Sequence, residues 1–517
     1  MVKRRNLPVS ILLVGLALVL LAGCDRTETR TDWPYPRYDL ANTGANPTVK
    51  CRLLEEPTML WEVTLPEGDI PWPLFPVAAD IDDDGSLEYL LGGWNQNPEF
   101  WLYAYNIEDG SNLWKRYFED QLHWSAPIVV DVNGDGKEDV VLATGAQVMA
   151  LNGHDGSSIW EQPFPGVGMG MTVADVDDDG RVEVVINDYG EPKRIYLLNG
   201  QDGSTIWQRE TGGSAYNIPT VGDVDGDNRL EILSHSHLYD PSGERLLAWD
   251  QEGNELWAYQ ASPSAEQEAN APPELGWVPD FGYIATTIAD FNADGQLEIG
   301  WGTRCHYYLL NGQGDLLWRV PTVEGFGLYF TYQDDGTLEA DTHGTGGPSG
   351  YAAGVGNLDD DPALEVVLSF GPEYRGGWDG TAWNYDRITP ANEIRVLDGE
   401  DGSLQWVFQG EYLSEDKSDQ MHEPLLVDLT GDGLLDVLAL STNTYLYAIQ
   451  GNTGEQLLAY RLGPEDAPTS VDHDLTFVVD AEAGIVLYTT TVYRSTNETD
   501  WTFDSILHAL QISSGCR

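Results

Sequence analysis

One spacing of oxygen-bearing side chains recurs along this chain: D-x-D/N-x-D-x-x-x-E/D. It is read at Asp80, Asp82, Asp84 and Glu88, at Asp131, Asn133, Asp135 and Asp139, and at Asp175, Asp177, Asp179 and Glu183. It returns at Asp223, Asp225, Asp227 and Glu231, and at Asp290, Asn292, Asp294 and Glu298. The last two copies are Asn357, Asp359, Asp361 and Glu365, then Asp428, Thr430, Asp432 and Asp436. Calcium takes six to eight hard oxygen ligands at about 2.3–2.6 Å. Side chains at positions 1, 3 and 5 converge on one point if the chain turns sharply, and a carbonyl at position 7 and the carboxylate at position 9 complete the shell. The turn asks for positive φ at position 6, where Gly or Asn stands in six copies. Pro362 fills that position in the sixth copy and cannot reach positive φ, so an altered or weaker site is expected there. A final carboxylate at position 9 rather than 12 separates the pattern from an EF-hand. Up to seven Ca²⁺ ions are expected. The competing reading is a set of Asx turns that need no metal.

Each copy is preceded by an apolar strand and followed by another, as in Val184-Val185-Ile186. Between copies lies a second pattern, a strand, a tight Asn/Asp-Gly turn and a strand carrying Trp, at 102–114, 148–160, 195–207, 246–257, 307–318 and 394–406. A seventh version at 446–458 has Leu in place of Trp. The tryptophans are expected to pack between neighbouring units. Four strands per unit define a propeller blade. The fold class is therefore all-β, a single β-propeller of eight four-stranded blades. The repeats resemble the FG-GAP (integrin-type) and VCBS propellers, with quinoprotein-like hairpins, over nearly all of residues 58–516.

The eighth blade is expected to be stitched from both chain ends. The stretch after residue 460 supplies strands at 475–479, 485–492 and 505–510, with Asp480 to Gly484 lacking the ligand series. The missing outer strand is supplied by 59–65, which contains Trp61. Closing the ring this way leaves no open sheet edge and brings Cys51 and Cys516 to one turn, where a disulfide is expected. Cys305 is expected to be a buried free thiol.

At the N-terminus, Lys3, Arg4 and Arg5 precede an apolar run, and Leu21-Ala22-Gly23-Cys24 follows. This resembles the bacterial lipoprotein signal and implies lipidation of Cys24; a plain signal peptide or a single membrane helix are the alternatives. The expected organisation is 1–23 signal peptide, 24–57 lipidated tether and lead-in, and 58–516 propeller. The protein is then exported and lipid-anchored in the cell envelope, where disulfides persist.

With 26 Lys and Arg against 85 Asp and Glu, the formal net charge is −59. Such a field excludes nucleic-acid phosphate as a partner. The seven loops hold under a third of the acidic residues, so the remaining acidity fits a saline habitat. Nucleophile elbows, H-E-x-x-H and Walker loops are missing from the sequence. So is the adjacent cysteine pair expected of a quinoprotein dehydrogenase.

Strand order divides the surface. The calcium loops and Gly turns share one face, and the long insertions at 93–100, 234–243, 262–282, 322–350 and 371–392 share the other. Loops on a rigid scaffold are where binding concentrates. Tyr374, Arg375, Trp378, Trp383 and Tyr385 are the candidate ligand face; the alternative is that they pack the insertion onto the ring. His123, His422 and His473 precede inner strands and form a weaker candidate cluster at the channel mouth. The expected function is a calcium-binding envelope scaffold, non-enzymatic, for a protein or glycan partner. Two alternatives are a polysaccharide-active enzyme resembling the rhamnogalacturonan lyases and an envelope-assembly factor.

Overall fold

The computed structural model describes residues 39–517 apart from a set of connections, the longest being 262–284 and 412–420. The described residues form strands and turns, without helix. Eight antiparallel sheets follow one another in chain order, each running from an inner strand A to an outer strand D. Blade 1 comprises Val77–Ala79, Glu88–Trp94, Phe100–Asn106 and Asn112–Phe118. Blade 2 comprises Ile128–Val130, Asp139–Ala143, Gln147–Asn152 and Ser158–Pro163. Blades 3 to 6 repeat the order and end on the D strands Thr205–Glu210, Glu255–Gln260, Leu316–Pro321 and Leu404–Gln409. Blade 7 runs from Leu425–Asp428 to Gln456–Arg461. B and C strands such as Asp139–Ala143 are buried on both sides, because each blade is sandwiched between two others.

One contact repeats from blade to blade. The D-strand indole N–H of Trp114 donates to the Gly153 carbonyl in the next blade at 2.6 Å, and Trp160 to that of Gly200 at 2.7 Å. Trp61, Trp207, Trp257, Trp318 and Trp406 do the same to Ile107, Gln251, Gly312, Gly399 and Gly451. The ring lies flat under the turn. A β-carbon on Gly156 would stand 2.9 Å from Trp114, and one on Gly203 2.7 Å from Trp160. These turn glycines also have φ of +68° and +69°, so both conformation and space demand Gly. The sequence-level expectation of packing between units is met, with a hydrogen bond added.

Blade 8 closes the ring. Its strands are Thr476–Asp480, Ala483–Ser495, Trp501–Ser514 and, from the other end of the chain, Arg52–Thr64. The pairing of Arg52–Thr64 with Trp501–Ser514 is antiparallel, with Met59 opposite Leu510 and Thr64 opposite Ile506. Cys51 is disulfide-bonded to Cys516, 465 residues away. Strands B and C extend beyond the expected limits and remain paired as far as Ser495 and Trp501. Ala45–Lys50, within the stretch read as tether, lies parallel to the inner strand of blade 7. The blade 7–8 joint has Leu458 in the place of Trp. Buried His508 in this blade bridges Glu62 at 3.0 Å and Thr490 at 2.7 Å. Burial holds its pKa below the ordinary value, against the opposing pull of Glu62.

The insertions after blade 5 and within blade 6 are not irregular loops throughout. Tyr329–Tyr332 and Leu338–Asp341 from the first join Glu373–Trp378 and Trp383–Thr389 from the second in a separate four-stranded sheet. The two insertions meet through a parallel pairing at Phe330 and Gly377.

Replacing Trp160 with Phe should destabilise the protein by about 1–3 kcal/mol, because it leaves the buried Gly200 carbonyl without this donor. Gly203→Ala should cost more, through overpacking of about 1–3 kcal/mol and the added strain of positive φ. Urea unfolding of both variants checks the order; a neutral Gly203→Ala would mean that the turn does not rest on the ring.

Candidate functional site

The seven acidic loops are the A–B turns of blades 1 to 7. Each begins where a short inner strand ends and finishes on the first residue of strand B. That placement buries position 9: Glu88, Asp139 and Glu365 are fully enclosed, and Glu183, Glu231, Glu298 and Asp436 nearly so. One oxygen of each carboxylate is held by the backbone N–H of position 2. Glu88 Oε2 accepts from Ile81 at 3.0 Å, Glu231 from Val224 at 3.0 Å and Glu298 from Phe291 at 2.9 Å. Position 2 is apolar and buried in all seven loops, as Ile81, Val132, Val176, Val224, Phe291, Leu358 and Leu429. The sequence pattern left this position undefined, although its unbroken apolar character was there to be read.

Position 1 ties down the turn: Asp80 accepts from Gly85 N–H at 3.0 Å and Asp175 from Gly180 N–H at 2.9 Å. Position 6 has positive φ wherever Gly or Asn stands there, from +64° at Asn228 to +100° at Gly433. Position 4 shares this conformation in the same six loops, at Asp83, Gly134, Asp178, Gly226, Ala293 and Gly431. The sixth loop has neither left-handed residue, consistent with Pro362. Its Asn357 side chain instead donates to the Asp361 carbonyl at 2.6 Å.

The turn brings the ligand side chains together. In the first, third, fourth and sixth loops, carboxylates at positions 3 and 9 and one more from position 1 or 5 have oxygens within 4.8 Å of one another. These sets are Asp80, Asp82 and Glu88; Asp175, Asp177 and Glu183; Asp223, Asp225 and Glu231; and Asp359, Asp361 and Glu365. In the second and fifth loops the position-3 amide turns onto the acid, Asn133 on Asp139 at 2.9 Å and Asn292 on Glu298 at 3.2 Å.

Three like charges at such spacing, one of them buried, are unfavourable as they stand. Burial foremost, with the neighbouring aspartates, raises Glu88 to about 8. Asp139, Glu183, Glu231 and Glu365 rise to about 7 for the same cause, and Asp436 to about 6. Buried oxygens without a hydrogen-bond partner remain at Asp80 Oδ1, Glu88 Oε1, Asp139 Oδ1 and Asn357 Oδ1. A hard cation would satisfy those oxygens and offset the repulsion, so the donor set fits calcium.

Of the candidate ligand face, Tyr374, Arg375 and Trp378 stand on one strand of the separate sheet, and Trp383 and Tyr385 on the next. Trp378 pairs with Trp383, and Tyr385 with Gly376. His422 hydrogen-bonds through its backbone to Leu440, whereas His123, His473, Cys305, Cys24 and the signal segment lie outside the described residues.

Comparison with known proteins agrees with this architecture. A family model described as outer membrane protein assembly factor BamB matches residues 98–276, about a third of the chain. A europium-containing methanol dehydrogenase superposes with a TM-score of 0.61 at 10% identity, covering 93% of this chain and 98% of the other. The fold is that of a quinoprotein-like eight-bladed β-propeller. Two quinohemoprotein alcohol dehydrogenases share it. The one from Pseudomonas putida has a TM-score of 0.59 at 12% identity, and that from Comamonas testosteroni 0.54 at 14%. These cover 93% and 92% of this chain, and 80% of each dehydrogenase. At such identity the likeness is one of fold. No curated protein matches the chain.

The raised carboxyl groups set a pH dependence for the metal-free protein. Acids with folded pKa values above their unfolded ones stabilise the fold at low pH, and that contribution is lost as pH rises through the folded values. In EDTA, the melting temperature should therefore fall between pH 5 and pH 8, and calcium should reverse most of the fall. Differential scanning calorimetry checks both; a melt equally high at pH 8 with and without calcium would count against metal in these loops.

Proposed function

We propose that this chain is a non-enzymatic, calcium-braced propeller of the cell envelope, anchored by lipid at Cys24, that docks a protein partner on its insertion face. The observation that carries this reading is the contrast between the two faces. One face is built from near-identical acidic loops whose buried oxygens need a cation, and these loops brace the ring. The other bears a second sheet that no blade requires. A feature that adds nothing to ring closure is the natural place for recognition.

Calcium occupies acidic loops through the position 1, 3, 5 and 9 side chains and stiffens the A–B turns that hold it. The likeness of residues 98–276 to an assembly-factor model supports a protein partner in the envelope, the assembly reading being the more specific form of the proposal. The Lys-Arg-Arg start, the apolar run and Leu21-Ala22-Gly23-Cys24 support export and lipidation. Carbohydrate remains the other ligand class that aromatic residues suit, and the same experiment separates the two.

The test is chemical cross-linking in intact envelopes, followed by purification of the full-length protein. Wild-type protein should yield a discrete cross-linked protein species. Trp378→Ala combined with Trp383→Ala should reduce it at least tenfold without changing the melting temperature, while Asp131→Asn on the opposite face should leave it intact. A cross-link indifferent to the tryptophan pair sinks the assignment of the face. Retention on an acidic-polysaccharide column, lost in the same double variant, would assign the face to glycan instead.

A further inference from the structure

The seventh loop keeps the acids at positions 1, 5 and 9, yet the protein has already engaged them with groups of its own. In the first loop, Glu88 gives one oxygen to a backbone N–H and keeps the other buried without a donor. In the seventh, both oxygens of Asp436 are taken. Oδ2 accepts from the N–H of Leu429 at 2.9 Å and of Thr430 at 3.1 Å, and Oδ1 from Gly451 N–H at 3.2 Å. Position 3 is Thr430, so the loop also lacks the carboxylate or amide that stands there in the other six.

A cation is nevertheless present. Lys50, at the end of the strand Ala45–Lys50, places its Nζ 3.9 Å from Asp428 Oδ2. The same ammonium is 3.2 Å from where a β-carbon on Gly433, at position 6, would stand. The corresponding point at Gly136, Gly180 and Gly295 in the second, third and fifth loops faces open space.

The N-terminal backbone is bonded to the same loop. Cys51 N–H donates to the Asp428 carbonyl at 2.7 Å and Leu53 N–H to that of Leu429 at 2.8 Å. Lys50 and Arg517 exchange backbone hydrogen bonds at 3.2 and 3.0 Å, and the disulfide follows at the next residue.

We propose that the seventh loop takes no metal and serves instead as a calcium-independent dock for the first strand, with Lys50 as its tethered cation. An ammonium beside Asp428 supplies part of the charge balance that calcium supplies elsewhere, and repels a divalent ion at that point. Three backbone N–H donors occupy most of the roughly four lone-pair sites of Asp436, so this carboxylate has less to offer a cation than Glu88 in the first loop. The joint between blades 7 and 8 therefore stays closed at calcium levels that empty the other loops. The inference rests on the calcium reading of those loops.

Native mass spectrometry of the whole protein in calcium tests it. The wild type should bind at most six ions, Asp223→Ala one fewer, and Asp428→Ala the same number as the wild type. Seven ions in the wild type, or the loss of one in Asp428→Ala, overturns the proposal. No ion in any variant overturns the calcium reading itself and with it this one, and the zero count tells that outcome from the others. Lys50→Gln gives a second measurement should Asp428→Ala fail to fold. Its melting temperature should drop by the same amount in calcium and in EDTA, and a drop confined to calcium overturns the dock.

Discussion

The ring depends on the indole of one blade lying under the turn of the next. A propeller blade cannot bury its faces alone, so stability comes from neighbour contacts, as in other repeat architectures. The indole serves twice: its ring covers apolar surface, and its N–H satisfies a turn carbonyl that would otherwise be buried without a donor. The glycine above it is fixed by the same contact. The contact runs in the same sense around the ring, from strand D to the following C–D turn. It fails once, at Leu458, where the next turn is the meeting point of the two chain ends and a disulfide takes over the holding.

The acidic loops solve a different problem on the same frame. Position 9 must open strand B, which is buried, and so a carboxylate is carried into the core at each repeat. Its partner N–H at position 2 satisfies one oxygen, and in Glu88 and Asp139 the other stays buried without a hydrogen-bond partner. The buried apolar side chain at position 2 and the acid at position 9 thus fix the turn from both ends. In the proposed reading the loops are structural braces whose stability is tied to the ionic environment.

Much of this was legible in the chain. The acid spacing, the Gly turns and the tryptophans repeat with a period that only a propeller accommodates, and the shortage of one outer strand pointed to Met59–Leu65 as its replacement. What the pattern could not give was local and three-dimensional. Position 4 is left-handed even where Asp or Ala stands there, because the turn and not the residue imposes it. The sheet formed by 329–341 and 373–389 joins segments separated by an entire inner strand and acidic loop, so no local periodicity announces it. Lys50 is an ordinary lysine in sequence, and only the folding of the first strand onto the last blades brings it to Asp428. The sequence alone sets the sixth loop apart through Pro362, whereas the packed structure also sets apart the seventh.

Closure by Arg52–Thr64 also bears on biosynthesis. The strand that completes the ring is made long before Trp501–Ser514 and must wait for it before it has a partner. Contacts of such sequence separation form slowly. Until they do, the edge of the eighth blade is exposed and the cysteine near each terminus is unpaired. An interrupted chain therefore never reaches the closed state, and its open edge marks it for aggregation or proteolysis. Pairing two strands so far apart in sequence makes ring closure depend on both being present: a chain that lacks Trp501–Ser514 leaves Arg52–Thr64 without its partner.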